Sequence, residues 1–138
     1  MDYNYVLKYM DDIYMENKWF KGEVCFDRAL ATWLRYQLET KGYCPVDIPQ
    51  GKLTLSEPTK DFRARVYDGK IIHNNNPVLT WAVSNAIIRE DHNGNIQLDK
   101  SKSKERIDPI AALLNAFVRA LVTDIKFVYE KRGMRSLL

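Results

Sequence analysis

Two carboxylates stand at the ends of apolar segments in this chain, and both could take part in chemistry. Asp108 precedes Pro109 and opens the most apolar helical stretch, Ile107-Asp108-Pro109-Ile110-Ala111-Ala112-Leu113-Leu114. Asp27 closes a strand-like run, Glu23-Val24-Cys25-Phe26-Asp27. Hard divalent cations take oxygen ligands fixed on rigid elements, so the pair could supply a metal site if the side chains converge. Each also has a structural explanation. Asp before Pro caps open helix amides, and an acid at a strand end favours a turn. The carboxyl end of a strand in an open α/β sheet is nevertheless where catalytic groups gather, which favours the functional reading of Asp27.

Other candidates are weaker. His73 with Asn74, Asn75 and Asn76 invites a metal reading, but the chain has two histidines and no Cys-x-x-Cys or His-Glu-x-x-His spacing. Asn76 is expected to cap a helix begun at Pro77, with His73 holding the loop by hydrogen bonds. No serine or cysteine stands in a nucleophile-elbow setting, and no Gly-x-x-x-x-Gly-Lys-Ser/Thr loop exists to support ATP hydrolysis. Lys100, Lys102, Lys104 and Arg106 lead straight into Asp108. Taken alone they read as a solvated, flexible loop. Beside a metal they would contact phosphates and hold a nucleic-acid backbone, and Lys60, Arg63 and Arg65 could extend that surface.

The elements that must position these residues follow from periodicity. Tyr5, Val6, Tyr9, Met10, Ile13 and Tyr14 predict an amphipathic helix over residues 3–18. A strand follows at 23–26, then a helix over 29–41 with Leu30, Trp33, Leu34 and Leu38 on one face and Gly42 as its stop. A second strand spans 43–48 and ends at Pro49-Gln50-Gly51. Strand, helix and strand in so short a distance predict a parallel pair with a crossover helix. Ser56-Glu57-Pro58-Thr59 reads as a cap opening a helix that ends at Gly69, and Ile71-Ile72-His73 as a short extended piece. Asn93-Gly94, between residues 87–90 and 95–98, predicts a β-hairpin. Ile110, Leu113, Leu114, Phe117, Val118 and Leu121 form one stripe of a final helix that continues toward Tyr129.

Composition bounds the rest. A chain of 138 residues that is 46% hydrophobic and 12% aromatic is globular and long enough for one domain, 1–138. The net charge of +3 permits a nucleic-acid partner without requiring one. Cys25 and Cys44 lie in apolar runs and read as buried free thiols. No stretch approaches a membrane span and the N-terminus carries no signal-peptide pattern, so a soluble cytoplasmic protein with no membrane partner is expected.

The ordered set of local motifs resembles one family. Leu55-Ser56-Glu57-Pro58-Thr59-Lys60, then His73-Asn74-Asn75-Asn76-Pro77-Val78-Leu79-Thr80-Trp81, Ser84-Asn85-Ala86-Ile87, Asn93-Gly94-Asn95, Asp99-Lys100-Ser101 and Ile107-Asp108-Pro109-Ile110-Ala111-Ala112 resemble the large terminase subunit of tailed bacteriophages. Cys25-Phe26-Asp27 and Pro49-Gln50-Gly51 fit as well. The resemblance implies part of a C-terminal RNase H-like nuclease domain, an α/β fold with a short, mainly parallel sheet flanked by helices, plus the β-hairpin.

It further implies a metal-dependent endonuclease for concatemeric viral DNA, using Mg²⁺ or Mn²⁺. Asp27 matches the second acidic residue of that site and Asp108 the last. The first, on the opening strand, has no counterpart, so the chain is expected to be a truncated piece that is weak or inactive alone and prone to self-association through a sheet edge. Implied partners are double-stranded DNA and, in an intact parent, the ATPase domain, the small terminase subunit and the portal, all in the host cytoplasm. A rival reading is a noncatalytic DNA-binding or assembly module, a prophage remnant. In a third, Asp91 or Asp99 replaces the missing ligand, Asp91 being the better placed.

Overall fold

The computed structural model describes residues 3–28 and 31–132, with backbone alone for residue 31 and for 123–132. The chain divides into two compact units, Met1–Ile48 and Pro49–Leu138.

The first unit contains α1 (Tyr3–Glu16), β1 (Glu23–Asp27), α2 (Ala31–Thr40) and β2 (Cys44–Ile48). The strands pair in parallel, with Cys25 opposite Val46 and Asp27 opposite Ile48. Parallel neighbours need a crossover connection, and α2 supplies it. Gly42 stops that helix at a φ of 84°, a conformation open to glycine. There the Tyr43 amide donates back to the Leu38 carbonyl at 3.0 Å. The expected start of this helix at Ala29 and Leu30 lies outside the described residues.

Leu7, Phe26, Leu38 and Tyr43 form the buried cluster, with Met10, Tyr14, Val24 and Leu34 packed around it. Side chains alternate along a strand, so Val24 and Phe26 share the core face while Cys25 and Asp27 belong to the other. Two expectations are corrected here. The inward stripe of α1 is Leu7, Met10 and Tyr14, whereas Tyr5 and Tyr9 are 73% and 60% exposed. Aromatic rings with polar tips tolerate water, so their spacing alone misplaced the apolar side. Cys44 is also exposed rather than buried, Cys25 is only partly buried, and no disulfide joins them.

The second unit contains α3 (Lys52–Tyr67), α4 (Pro77–Asn85), β3 (Ile88–Glu90), β4 (Ile96–Leu98) and α5 (Asp108–Arg132). β3 and β4 form the antiparallel hairpin expected around Asn93-Gly94. α4 is capped as expected, since the Asn76 side-chain oxygen accepts from the Val78 and Leu79 amides at 3.0 and 3.1 Å. His73 accepts from the Asn75 amide through Nδ1 at 3.2 Å, a loop contact of the expected kind.

The start of α3 differs from expectation. Its cap is Gly51, whose carbonyl takes the Thr54 and Leu55 amides, and Pro58 lies inside the helix. A proline there removes an amide donor and crowds the preceding turn. Burial of Ser56, Pro58 and Thr59 offsets that cost as α3 packs on β4 and α5. The Ser56 hydroxyl accepts from the Ile96 amide at 3.1 Å, tying α3 to the hairpin instead of capping a helix. Phe62 meets Phe117 edge-on at 5.4 Å, and Ile107, Ile110 and Leu114 are buried. Residues 71–73 form no strand, and Ile72 is exposed.

Candidate metal and nucleic-acid site

Asp108 is the first residue of the 25-residue helix α5, set there by the buried Ile107 before it and Pro109 after it. Its carboxylate is 70% exposed and lies 3.8 Å from the Lys100 ammonium, which is equally exposed. Such a pair is screened by water and contributes little stability, so either member can exchange partners. Lys100, Lys104, Glu105, Arg106, Ile107 and Asp108 line one open hollow of about 310 Å³. The structure therefore gathers Asp108 with three of the four cations singled out in the sequence. Lys102 is exposed on the same loop.

This loop is more ordered than its composition suggests. Asp99 is buried, 5% exposed, directly after β4. Its Oδ1 accepts from the Ser101 amide at 3.0 Å, the Ser101 hydroxyl at 2.6 Å and the Lys102 amide at 3.3 Å. Its backbone carbonyl takes the Ser103 amide at 3.1 Å and the Ser103 hydroxyl at 2.7 Å. The Ser101 hydroxyl, and after it the Ser101 and Lys102 amides, hold the Asp99 carboxyl below its ordinary value, although burial opposes this. An ionised acid thus sits at the root of a basic loop.

Asp91 is similarly engaged. Its Oδ1 accepts from the Asn93 and Asn95 amides, both at 2.9 Å, and the Asn95 side chain bridges both oxygens. Lys52 closes the remaining side as an ion pair. Hydrogen bonds from Lys52, then from Asn95, hold this carboxyl well below the usual carboxylate range. A cation at Asp91 would have to displace Lys52.

Asp27 ends β1 in the first unit, half-buried and opposite Ile48 in register. Among the described residues, no three His, Cys, Asp or Glu side chains lie close enough to hold a metal ion together. Mg²⁺ takes one or two carboxylates and completes its shell with water and phosphate oxygens. Asp27, in the first unit, and Asp108, in the second, are each of the donor type that such an ion takes; a pair of ions would need further carboxylates that the described residues do not gather. On α3, Lys60 pairs with Glu57 and Arg65 with Asp61, each at 2.8 Å, while Arg63 lies over the Tyr67 ring. Lys52 and the tethering role of Asp99 were missed in the sequence. Asp-x-Ser at 99–101 is a recognisable side-chain turn signal. Nothing local marks Lys52, which meets a residue 39 positions away.

The sequence matches the family described as terminase large subunit, endonuclease domain, over residues 1–124. The chain belongs to that family. It is 29% identical to protein YmfN of Escherichia coli (strain K12) over 99% of its own length and 31% of the relative's. It is also 34% identical to the terminase large subunit of Enterobacteria phage HK97, over 49% of this chain and 14% of that protein. The crystal structure of the HK97 bacteriophage large terminase superimposes with a TM-score of 0.75 and 26% identity, covering 86% of this chain and 25% of that one. The chain spans a third or less of the length of these relatives. No helix among the described residues is long and apolar enough to cross a membrane.

Proposed function

We propose that this chain contributes the C-terminal share of a DNA-cutting nuclease domain that acts on concatemeric phage DNA in the host cytoplasm. In this reading Asp27 and Asp108 are its metal-binding carboxylates, with Mg²⁺ or Mn²⁺ as the ion. The observation that carries the reading is the hollow in which Asp108 stands among Lys100, Lys104 and Arg106. A phosphodiester backbone presents anionic oxygens that these cations bind and orient, while the carboxylate beside them offers an oxygen ligand. Bound there, a divalent ion supplies Lewis acidity toward a phosphoryl oxygen. Lys100 lies close enough to Asp108 to trade that contact for a phosphate. Asp91 is a further ligand only if Lys52 yields. An ATPase domain, the small terminase subunit and the portal would be partners of the larger assembly, and copies of this chain would associate through a sheet edge.

Plasmid cleavage with Mn²⁺ tests the reading. Weak nicking by the unaltered chain, abolished in both Asp27→Ala and Asp108→Ala while DNA binding persists, is the expected result. Cleavage that survives either substitution would remove these two acids from the site.

The ligand geometry favours one rival, a noncatalytic DNA-binding or assembly module, because the described residues gather no trio of metal-binding side chains. That module would bind DNA in a salt-sensitive way, indifferent to chelators and to both aspartate substitutions.

A further inference from the structure

We infer that Asp99 is a positioning residue for the basic loop, fixing Lys100 and Lys102 in the arrangement that meets a nucleic-acid backbone. The inference rests on the DNA-binding reading above and adds to it a residue that touches no DNA. Four lysine and arginine side chains at alternating positions repel one another, and an untethered loop carrying them would spread into solvent. Here residues 101–103 instead direct five hydrogen bonds to Asp99, three to its carboxylate and two to its carbonyl. Asp99 is itself anchored, since its own amide donates to the Ile87 carbonyl at 2.7 Å, just before β3. The hairpin, the turn and the cations are therefore one connected piece. Ordering a long side chain and its loop at the moment of binding weakens affinity, so a loop ordered beforehand binds more tightly with the same charges.

Two consequences of Asp99 are opposite in sign, which makes the role testable. As a charge, an acid among cations opposes DNA, so its removal should tighten binding. As a tether it favours DNA, so its removal should weaken binding. Asp99→Ala removes both charge and tether. Asp99→Asn removes the charge but keeps an oxygen that can accept the same amides. Ser101→Ala with Ser103→Ala removes two tethering hydroxyls and leaves every charge in place.

The experiment is fluorescence anisotropy of a short labelled DNA duplex titrated with the full chain across a salt series, alongside amide exchange at residues 101–103. Asp99→Ala and the double serine variant are expected to bind about tenfold more weakly, with faster exchange at the loop. Their slope of log affinity against log salt should stay unchanged, because no phosphate contact is lost. Asp99→Asn should bind at least as tightly as the unaltered chain. Lys100→Ala should instead reduce the slope by about 0.9, the signature of a lost phosphate contact.

Tighter or equal binding by the double serine variant, with its exchange visibly faster, overturns the positioning role and leaves the DNA reading intact. Should Asp99→Ala fail to fold, the double serine variant decides alone. Absence of salt-dependent binding by the unaltered chain overturns both readings.

Discussion

Tyr43 is a buried phenol whose hydroxyl donates to Asp11 at 2.9 Å, where Lys41 and Lys21 also converge. Burial, and after it the Asp11 carboxylate, pushes its pKa up to about 12. In an unfolded chain the phenol titrates near 10. Between about 10 and 12 the unfolded chain has released a proton that the folded one retains, so stability is intact below this window and falls as pH rises through it. Tyr43→Phe should remove that alkaline loss and cost about 1 kcal/mol at neutral pH through the missing hydrogen bond. Urea midpoints at neutral and alkaline pH measure both effects; an unchanged alkaline loss in the variant would assign it to another group. Asp91 acts locally in the hairpin turn. Asp91→Ala should speed amide exchange at Asn93 and Asn95, whose amides it accepts, and leave α4 unaffected.

At the scale of elements, Ser56 joins α3 to the hairpin through the amide of Ile96, which is buried. Ser56→Ala strands that amide and should cost about 1–3 kcal/mol, read as a lower urea midpoint at constant slope. A change near zero would mean that water replaces the hydroxyl. This contact was illegible in the sequence because it joins residues 40 positions apart. It also reverses the sense of Ser56-Glu57-Pro58, where helix-start chemistry argued for a cap and tertiary packing set the helix start six residues before Pro58. Where a signal is local and its chemistry has one solution, it reads true. Asn76 before Pro77 caps α4, Asn93-Gly94 turns the hairpin, and Gly42 ends α2. The parallel pairing of β1 with β2 was legible for a topological reason, since a helix between two short strands leaves few other pairings. The inward side of α1 was not, because four of its residues are tyrosines that serve either side.

For the molecule as a whole, acid should be the more damaging extreme. Asp11, Asp91 and Asp99 all have carboxyls held below their ordinary values by hydrogen bonds, first from Lys41, Lys52 and Ser101 respectively. Below about pH 4 the unfolded chain takes up protons that these folded carboxylates refuse, so their stabilisation is complete above that value and fades as pH falls. Urea midpoints across an acid series should drop, and Asp91→Ala should flatten part of the decline. Of the candidate site, Asp108 and the cations before α5 that share its hollow could be read from residue types. The tether that orders those cations was missed: Asp-x-Ser at 99–101 carries a side-chain turn signal, but the burial of Asp99 beside the hairpin depends on tertiary packing and has no local mark.

Cys44, solvent-facing at the head of β2, has a practical consequence for anyone weighing the mass of this protein in solution. An accessible sulfur lets two molecules become covalently linked by air alone, without any recognition between their folds. A dimer seen in aged, unreduced samples should vanish with a thiol reductant or with Cys44→Ser, and only a species that outlasts both reports a true interface.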